Sequence, residues 1–356
     1  MQDTLYVGVD AHKKRSHIAV MDRGGTVLKS VDIPSSRSGV AGALGRYKRP
    51  IKAVLEASYA WEPMHDWLEE FADEVVLAHP LKVRAIADAR IKTDKLDARV
   101  LAHLLRADLI PPAYVPNRDT RRVKRVLRQR CFLIRVRTMV KNRIAALLAW
   151  NSVQRPDVST LYGKVGRAFL STVGLPDMDR SLLDEDLELF DAIQQRVGAT
   201  EDLIAKLSKG DPIIEWLSSL PGIGDFFAVL LRYEIDDINR FRTPKKLASY
   251  VGIVPSVYQS ANRCFHGRLT KQGNKHLRWA MIEAVTPAVR SSRYFRRYYE
   301  RIKRSSGTGD ARVATARKLL ELVWIVWTEG RHYEERDSTR TGTGLPSKHP
   351  GHHGPS

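Results

Sequence analysis

Four acids in the first hundred residues carry the strongest chemical signal in this sequence. Asp10 closes the apolar run Tyr6-Val7-Gly8-Val9, and Glu56 closes Ala53-Val54-Leu55. Asp94 and Asp97 stand three apart at the start of a helical pattern, so they project from one helix face. If the strands ending at Asp10 and Glu56 are parallel neighbours, both carboxylates leave the sheet at one edge. Four acids converging there would repel one another unless cations neutralised them. Hard divalent ions that take oxygen ligands, Mg²⁺ or Mn²⁺, suit such a set. Two ions about 4 Å apart can activate a water or hydroxyl and stabilise the leaving oxygen of a phosphoryl transfer. Each acid taken singly also has a structural reading: Asp at a strand end often serves a turn, Asp94 fits an N-cap, and Asp97 would be favoured by the helix dipole. The joint pattern is what favours the metal site. His12 reads as a structural or substrate-contacting residue rather than a ligand.

Two further stretches could touch phosphate. Leu217-Ser218-Ser219-Leu220-Pro221-Gly222-Ile223-Gly224 leads into an apolar helix from Phe226 to Glu234, the pattern of a helix-hairpin-helix. Gly222 and Gly224 would let the backbone approach a phosphate, with free amides at the next helix start to bind it. The alternative is a Gly-rich turn that packs a core. Downstream, Ser260 sits in a polar stretch, Tyr258 to Thr270, read as a loop. Arg263, His266 and Arg268 lie within it, and Lys271 and Arg278 follow. A hydroxyl among cationic donors could attack a phosphodiester. A loop serine is more often polar filler, and no base is identifiable from the residues.

The elements that must position these groups can be read from periodicity. Leu5–Val9, His17–Met21 and Thr26–Ile33 read as strands, with Asp22-Arg23-Gly24-Gly25 a turn between the second and third. Further strands fall at Ala53–Leu55 and Glu74–Ala78, and helices near Glu62–Phe71, Pro80–Ala89 and Asp94–Arg106. Three meandering strands followed by alternating helix and strand suggest a mixed α/β sheet covered by helices, in the order of the ribonuclease H-like fold. The prolines of Pro111-Pro112-Ala113-Tyr114-Val115-Pro116 mark a boundary. A long helix is expected from Asp119 to Trp150, with eleven Lys or Arg against one acid between Asn117 and Arg143. Among its cations Arg121, Arg122, Lys124, Arg125 and Arg128 are candidate nucleic-acid contacts. A second helical run, Leu182 to Lys209, with Leu183, Leu187, Phe190, Ile193, Val197, Leu203, Ile204 and Leu207 inward, would pair with the first as a coiled-coil arm. The expected organisation is residues 1–112, an arm over 117–210, a mainly helical domain over 213–330, and a disordered Gly-, Ser- and His-rich tail over 331–356.

Composition narrows the partners. Fifty-nine Lys and Arg against forty Asp and Glu give a formal charge of +19. That excess favours polyanions by counterion release and field steering. The basic residues lie within folded-looking helices rather than one amphipathic anchor, so nucleic acid is preferred to a membrane surface. The longest apolar stretch, Leu319 to Trp327, is interrupted by Glu321 and is too short to span a bilayer. No signal-peptide pattern opens the chain, and a cytoplasmic location is expected. Cys131 and Cys264 have no spaced partners, which argues against a disulfide framework or a zinc site.

Taken together, Gly8-Val9-Asp10-Ala11-His12-Lys13-Lys14, Leu55-Glu56-Ala57-Ser58, Ala78-His79-Pro80, Lys92-Thr93-Asp94-Lys95-Leu96-Asp97-Ala98, Leu220-Pro221-Gly222-Ile223-Gly224 and the Gly267–Arg278 segment resemble one known family. It is that of the DEDD-type insertion-sequence transposases, described as bridge-RNA-guided serine recombinases, and the similar stretches span nearly the whole chain in the family's order. The resemblance implies a RuvC-like N-terminal domain, a coiled-coil connection and a C-terminal transposase domain. It implies Mg²⁺ held by Asp10, Glu56, Asp94 and Asp97, and Ser260 as a nucleophile that links transiently to DNA. Its implied partners are donor and target DNA, a noncoding guide RNA whose base pairing chooses the sites, and further copies of the chain in a dimer or tetramer, in the nucleoid of a prokaryotic cell. One departure stands out: Ala261 follows Ser260 where the family has Ser-Gly, and alanine resists the left-handed backbone that glycine permits. Ser256 is the alternative hydroxyl. Two other functions use the same residues. A structure-specific nuclease would need the acids and the helical hairpin without a covalent intermediate, and a non-catalytic nucleic-acid-binding protein would carry the acids idle.

Overall fold

The computed structural model describes residues 4–48, 50–86, 94–260, 263–269 and 273–335. It divides after Pro116 into two compact units. The first holds a five-stranded sheet in the order β3-β2-β1-β4-β5. Its strands are β1 (Leu5–Asp10), β2 (Arg15–Met21), β3 (Val27–Pro34), β4 (Ile51–Glu56) and β5 (Glu74–Ala78), with α1 (Arg37–Leu44), α2 (Trp61–Leu68), α3 (Pro80–Ile86) and α4 (Asp94–Arg106). β1 pairs antiparallel with β2, and β2 with β3, whereas β1–β4 and β4–β5 are parallel. This is the mixed sheet that the meander-then-alternation pattern predicts, covered by helices.

Side-chain alternation divides the sheet into two faces. Leu5, Val7, Val9, Ala53 and Leu55 bury a core with Val40 and Leu44 of α1 and Met64 and Leu68 of α2. On the opposite face Val54 packs with Leu101 of α4. Gly8 lies on that second face, and a Cβ built there would stand 1.9 Å from the Ala98 carbonyl oxygen and 2.7 Å from the Ala102 nitrogen. Glycine is therefore what allows α4 to lie directly on β1.

The second unit contains α5 (Arg118–Trp150), α6 (Lys164–Thr172), α7 (Asp177–Ser208), α8 (Pro212–Ser218), α9 (Asp225–Ile235), α10 (Pro244–Val251), β6 (Pro255–Ser260), β7 (Arg263–Leu269), α11 (Lys275–Ser291) and α12 (Arg293–Glu329). Asn117 caps α5 by accepting from the Thr120 amide at 2.7 Å. α5 and α7 lie antiparallel, as the ion pair Arg130–Glu201, the Arg137–Gln194 hydrogen bond and the ion pair Arg143–Asp186 show in sequence. Between them Leu133, Val140, Ile144 and Leu147 meet Leu183, Phe190, Ile193 and Val197. Leu203 and Leu207, expected inward, are 43% and 37% exposed, because Ile204 takes the inward position and those two fall on the adjacent face. The remaining helices bury a second core, to which the first turns of α5 contribute Val123 and Leu127. α5 thus belongs to both cores.

Two expectations change here. Within the stretch from Tyr258 to Thr270, expected as a loop, residues 258–260 and 263–269 belong to paired antiparallel strands, with Tyr258 paired to Phe265 and Ser260 to Arg263. Their polar side chains hide the strand period, while backbone pairing does not depend on them. The start of the expected tail is also held: the Tyr333 amide donates to Ser219 Oγ at 2.8 Å. Residues 336–356, with His349, His352 and His353, lie outside the described residues.

The contact at Gly8 yields a direct test. Gly8→Ala should displace α4 from β1 and cost about 1–3 kcal/mol, the usual scale of overpacking, read as a lower urea midpoint at unchanged m-value. Gly42, which has no heavy atom within 4 Å of a built Cβ, is the control site for an alanine and should give no loss.

Candidate functional site

The acid edge is built by three elements. In the parallel β1–β4 ladder Gly8 lies opposite Val54 and Val9 opposite Leu55, so Asp10 and Glu56 finish adjacent strands at the same end. By alternation both project on the face that carries Gly8 and Val54, the face α4 covers. The direction of α4 follows from its far end. Arg106 Nη1 donates to the Arg23 carbonyl at 3.3 Å, in the turn after β2, and β2 ends opposite Tyr6 at the beginning of β1. α4 therefore runs antiparallel to β1, and its first turn points toward Asp10. Asp97 is one turn before Leu101, on the face that packs against Val54, and is partly buried. Asp94 is the first residue of α4, and its side chain lies outside the described residues. His12 Nε2 lies 3.1 Å from Asp10 Oδ2. Ser58 Oγ donates to the Ala11 carbonyl at 3.2 Å, and the Ala57 amide to Ala78 at 3.1 Å, which ties the loops of the edge together. His79, one residue past β5, shares this edge, and no role for it was apparent from its type alone.

These donors fit a hard divalent cation, since Asp10, Glu56 and Asp97 offer carboxylate oxygens from one sheet end. Among the described residues, the group whose ligand atoms all lie within 4.8 Å of one another is a different one: His65 and Asp66 of α2 with Glu69 at its C-cap, His65 Nδ1 lying 3.6 Å from Glu69 Oε1. It sits toward the opposite sheet end, because Asp73, just past α2, accepts from the Ile51 amide at the start of β4. The i, i+1, i+4 spacing of these residues on a helix was the available signal for it.

In the second unit the Ser260 strand pair is anchored at its base. Ser260 is the last residue of β6, and the side chains of residues 255–272, with Ser256, Arg263 and Arg268, lie outside those described, as do Ala261 and Lys271 altogether. On the entering side Gly252 adopts a left-handed conformation to end α10. On the leaving side Gly273 has φ +139° and passes so close to Tyr250 that a Cβ would stand 2.5 Å from its carbonyl oxygen. Asn274 then uses its whole amide: Oδ1 accepts from the His276 and Leu277 amides at 3.0 and 3.2 Å, and Nδ2 donates to Glu234 Oε2 at 2.8 Å.

Glu234 is fully buried. Arg128 grips it with two parallel hydrogen bonds, Nε to Oε1 at 2.8 Å and Nη2 to Oε2 at 3.0 Å. Burial pushes its carboxyl up, but Arg128, then Asn274 and the charge of Lys124, outweigh this and hold it below the usual carboxylate range. Lys124 is itself buried, and burial lowers its ammonium pKa against the pull of Glu234 and Asp236. Burial likewise lowers the half-buried His276, against the opposing charge of Glu234.

The remaining sequence candidates are divided by burial. Arg121 and Lys124 are buried in the second core, 6% and 7% exposed. Arg122 is exposed and pairs with Asp119 at 2.9 Å, Arg125 is exposed, and Arg128 is committed to Glu234. Arg278 donates to the Val251 carbonyl at 3.2 Å, at the base of the hairpin. Gly222, with φ +79°, is pressed against α11, where a Cβ would lie 2.3 Å from the Ala284 carbonyl oxygen. Its glycine serves packing. Gly224 is exposed and opens α9 with no side-chain cap, beside an open cleft of about 750 Å³ lined by Phe226, Phe227, Trp279, Arg130 and Arg137.

Comparison with known proteins adds two family matches. Residues 7–150 match a model described as a transposase, DEDD_Tnp_IS110, and residues 214–300 one described as the transposase IS116/IS110/IS902 family. The chain is 24% identical to the transposase for insertion sequence element IS1111A of Coxiella burnetii, over 94% of this chain and 92% of that one. It is 27% identical to a probable family 20 transposase of Pseudomonas aeruginosa, over 68% and 73%. It is 28% identical to the pilin gene-inverting protein of Moraxella lacunata, over 80% and 82%.

The Glu234 cluster predicts a defined stability profile. Glu234→Ala should cost about 2–3 kcal/mol in denaturant unfolding, less than a fully buried pair because Arg128 is half exposed. Because the folded carboxyl titrates below its ordinary value of about 4.3, its contribution is complete above that pH and is lost as pH falls through the lower folded-state pKa. The stability gap between wild type and Glu234→Gln should therefore narrow below about pH 4, and a gap that stays constant on acidification would count against the charge assignment.

Proposed function

Given that the chain belongs to the IS116/IS110/IS902 family of transposases, we propose that it cuts and rejoins the donor and target DNA of an insertion sequence through two chemical centres. The first is the acid edge, where Asp10, Glu56, Asp94 and Asp97 would hold Mg²⁺ or Mn²⁺. A bound ion there supplies Lewis-acid stabilisation of phosphate oxygens. The acids orient the scissile strand against the sheet edge, with His12 beside Asp10.

The second centre is Ser260. Its hydroxyl attacks the scissile phosphorus and forms a phosphoserine ester, and the P–O bond to the leaving sugar oxygen breaks. The serine proton passes to solvent and the leaving oxygen takes one up as a free hydroxyl. Attack by a second strand's hydroxyl on the ester restores a phosphodiester and returns the serine. One phosphate ester replaces another at each step, so no external energy source is required. Arg263, Arg268 and Lys271 would balance the charge that develops on phosphate. Exposed Arg122 and Arg125 and the open start of α9 at Gly224 would hold the DNA backbone.

Base pairing with a noncoding guide RNA would select the sites, and an oligomer would set the acids of one copy against the serine of another. The observation that carries the reading is the parallel β1–β4 register, which brings Asp10 and Glu56 to the sheet end toward which α4 begins. The relatives named for pilin gene inversion support recombination, since inversion needs strands rejoined as well as cut.

The test is to incubate the protein with the noncoding RNA flanking its gene, donor and target DNA and Mg²⁺, and resolve products under denaturing conditions. Covalent protein–DNA adducts are expected, absent in Ser260→Ala, with all strand breakage abolished in Asp10→Ala. Hydrolytic cleavage that survives Ser260→Ala would move the chain to the nucleases. Binding without strand breakage would leave only a nucleic-acid-binding protein.

A further inference from the structure

α12 is not one rod. It is continuous from Arg293 to Glu329, yet Gly307 within it has the non-helical angles φ 85°, ψ 174°. A straight helix of 37 residues would hold its ends about 55 Å apart. The Tyr294 amide nevertheless donates to Glu335 Oε1 at 2.8 Å, and the six residues after Glu329 reach at most about 20 Å. The helix must therefore double back at Gly307. The returning limb buries Ala316, Leu319, Leu320 and Val323 in the second core, and the outgoing limb contributes Phe295. Residues 303–310 at the reversal are all exposed.

The outgoing limb carries a stripe of charge. Arg293, Arg297, Arg301 and Arg304 recur at helical spacing on the side away from buried Phe295, over about 16 Å of axis. All are exposed, as is Lys303. The acid within the limb, Glu300, lies 3.8 Å from Lys303. Tyr294 and Tyr298 stack on each other at 6.3 Å, and Arg301 covers the Tyr298 ring at 5.3 Å, so these faces are occupied rather than offered to bases. Most of the reversal lies beyond residue 300, where the family match ends.

We infer that the outgoing limb of α12 is a duplex-DNA contact that grips the phosphate backbone without reading sequence. Its stripe of exposed cations, evenly spaced along a helix, complements a duplex, which presents twice the charge of a single strand per length of axis. The inference rests on the proposal that the chain acts on DNA, and it adds a surface separate from α5, the α8–α9 turn and the Ser260 strand pair.

The measurement is the salt dependence of binding of the full chain to a fluorescent DNA duplex of arbitrary sequence. Glutamine, a good helix former, replaces three exposed arginines in Arg297→Gln/Arg301→Gln/Arg304→Gln. The slope of log K against log salt should flatten by about three, so that a fourfold rise in salt costs the variant about fortyfold less affinity than wild type. The loss should be equal for unrelated sequences. Glu300→Gln should instead bind more tightly, a gain that misfolding cannot mimic. An unchanged slope in the triple variant, a loss confined to single-stranded RNA, or no gain in Glu300→Gln overturns the inference. A wild-type chain that binds no DNA at all would instead remove the functional proposal beneath it.

Discussion

The second unit is organised around a carboxylate that has no access to water. An ionised glutamate in that position is tolerable only with its oxygens fully engaged, because an uncompensated buried charge costs several kcal/mol. Arg128 of α5 and Asn274 from the loop before α11 must therefore stand where they do, with Lys124 close enough to contribute its charge. That requirement sets the register of α5 against α9 and pins Asn274, the residue that caps α11. The cations of α5 consequently have different duties. Arg128 and Lys124 serve this cluster, whereas Arg130, Arg137 and Arg143 reach Glu201, Gln194 and Asp186 of α7.

The first unit depends on a different constraint, the geometry of parallel pairing. Strands that run the same way end at the same edge, and every second side chain shares a face. Asp10 and Glu56 obey both conditions, and α4 completes the set because Gly8 lets its backbone lie on the sheet. A general rule of open sheets with parallel strands places ligand chemistry beyond the strands' carboxyl ends, and Asp10 and Glu56 stand at those ends of β1 and β4.

Much of this was legible in the residues. Apolar runs closed by acids marked β1 and β4, and the three-residue spacing of Asp94 and Asp97 marked the beginning of α4. The proline-rich segment marked the division after Pro116. What the sequence concealed was long-range. A basic helix does not announce which of its stripes is buried: Arg121 and Lys124 turn inward, Lys124 toward Glu234 and Asp236 more than a hundred residues away. The polar strands around Ser260 lack the apolar alternation that identifies a half-buried strand, so the residue pattern there does not reveal their ladder. Gly222 invited a phosphate-binding reading, whereas its nearest neighbour is the backbone of α11. The reversal in α12 is written locally as Gly307-Thr308-Gly309, but its direction is decided by Glu335 meeting Tyr294.

α5 contributes to two cores at once, with Val123 and Leu127 in one and Leu133 through Leu148 in the other. Evolution often assembles proteins by exchanging segments that fold autonomously. Here no cut between the arm and the helices beyond it leaves two intact pieces, since removing the arm also removes Arg128 from Glu234. Inheritance of this half of the molecule is consequently all or nothing. Tolerance of change is expected instead where the chain is exposed, as over residues 303–310 at the turn of α12.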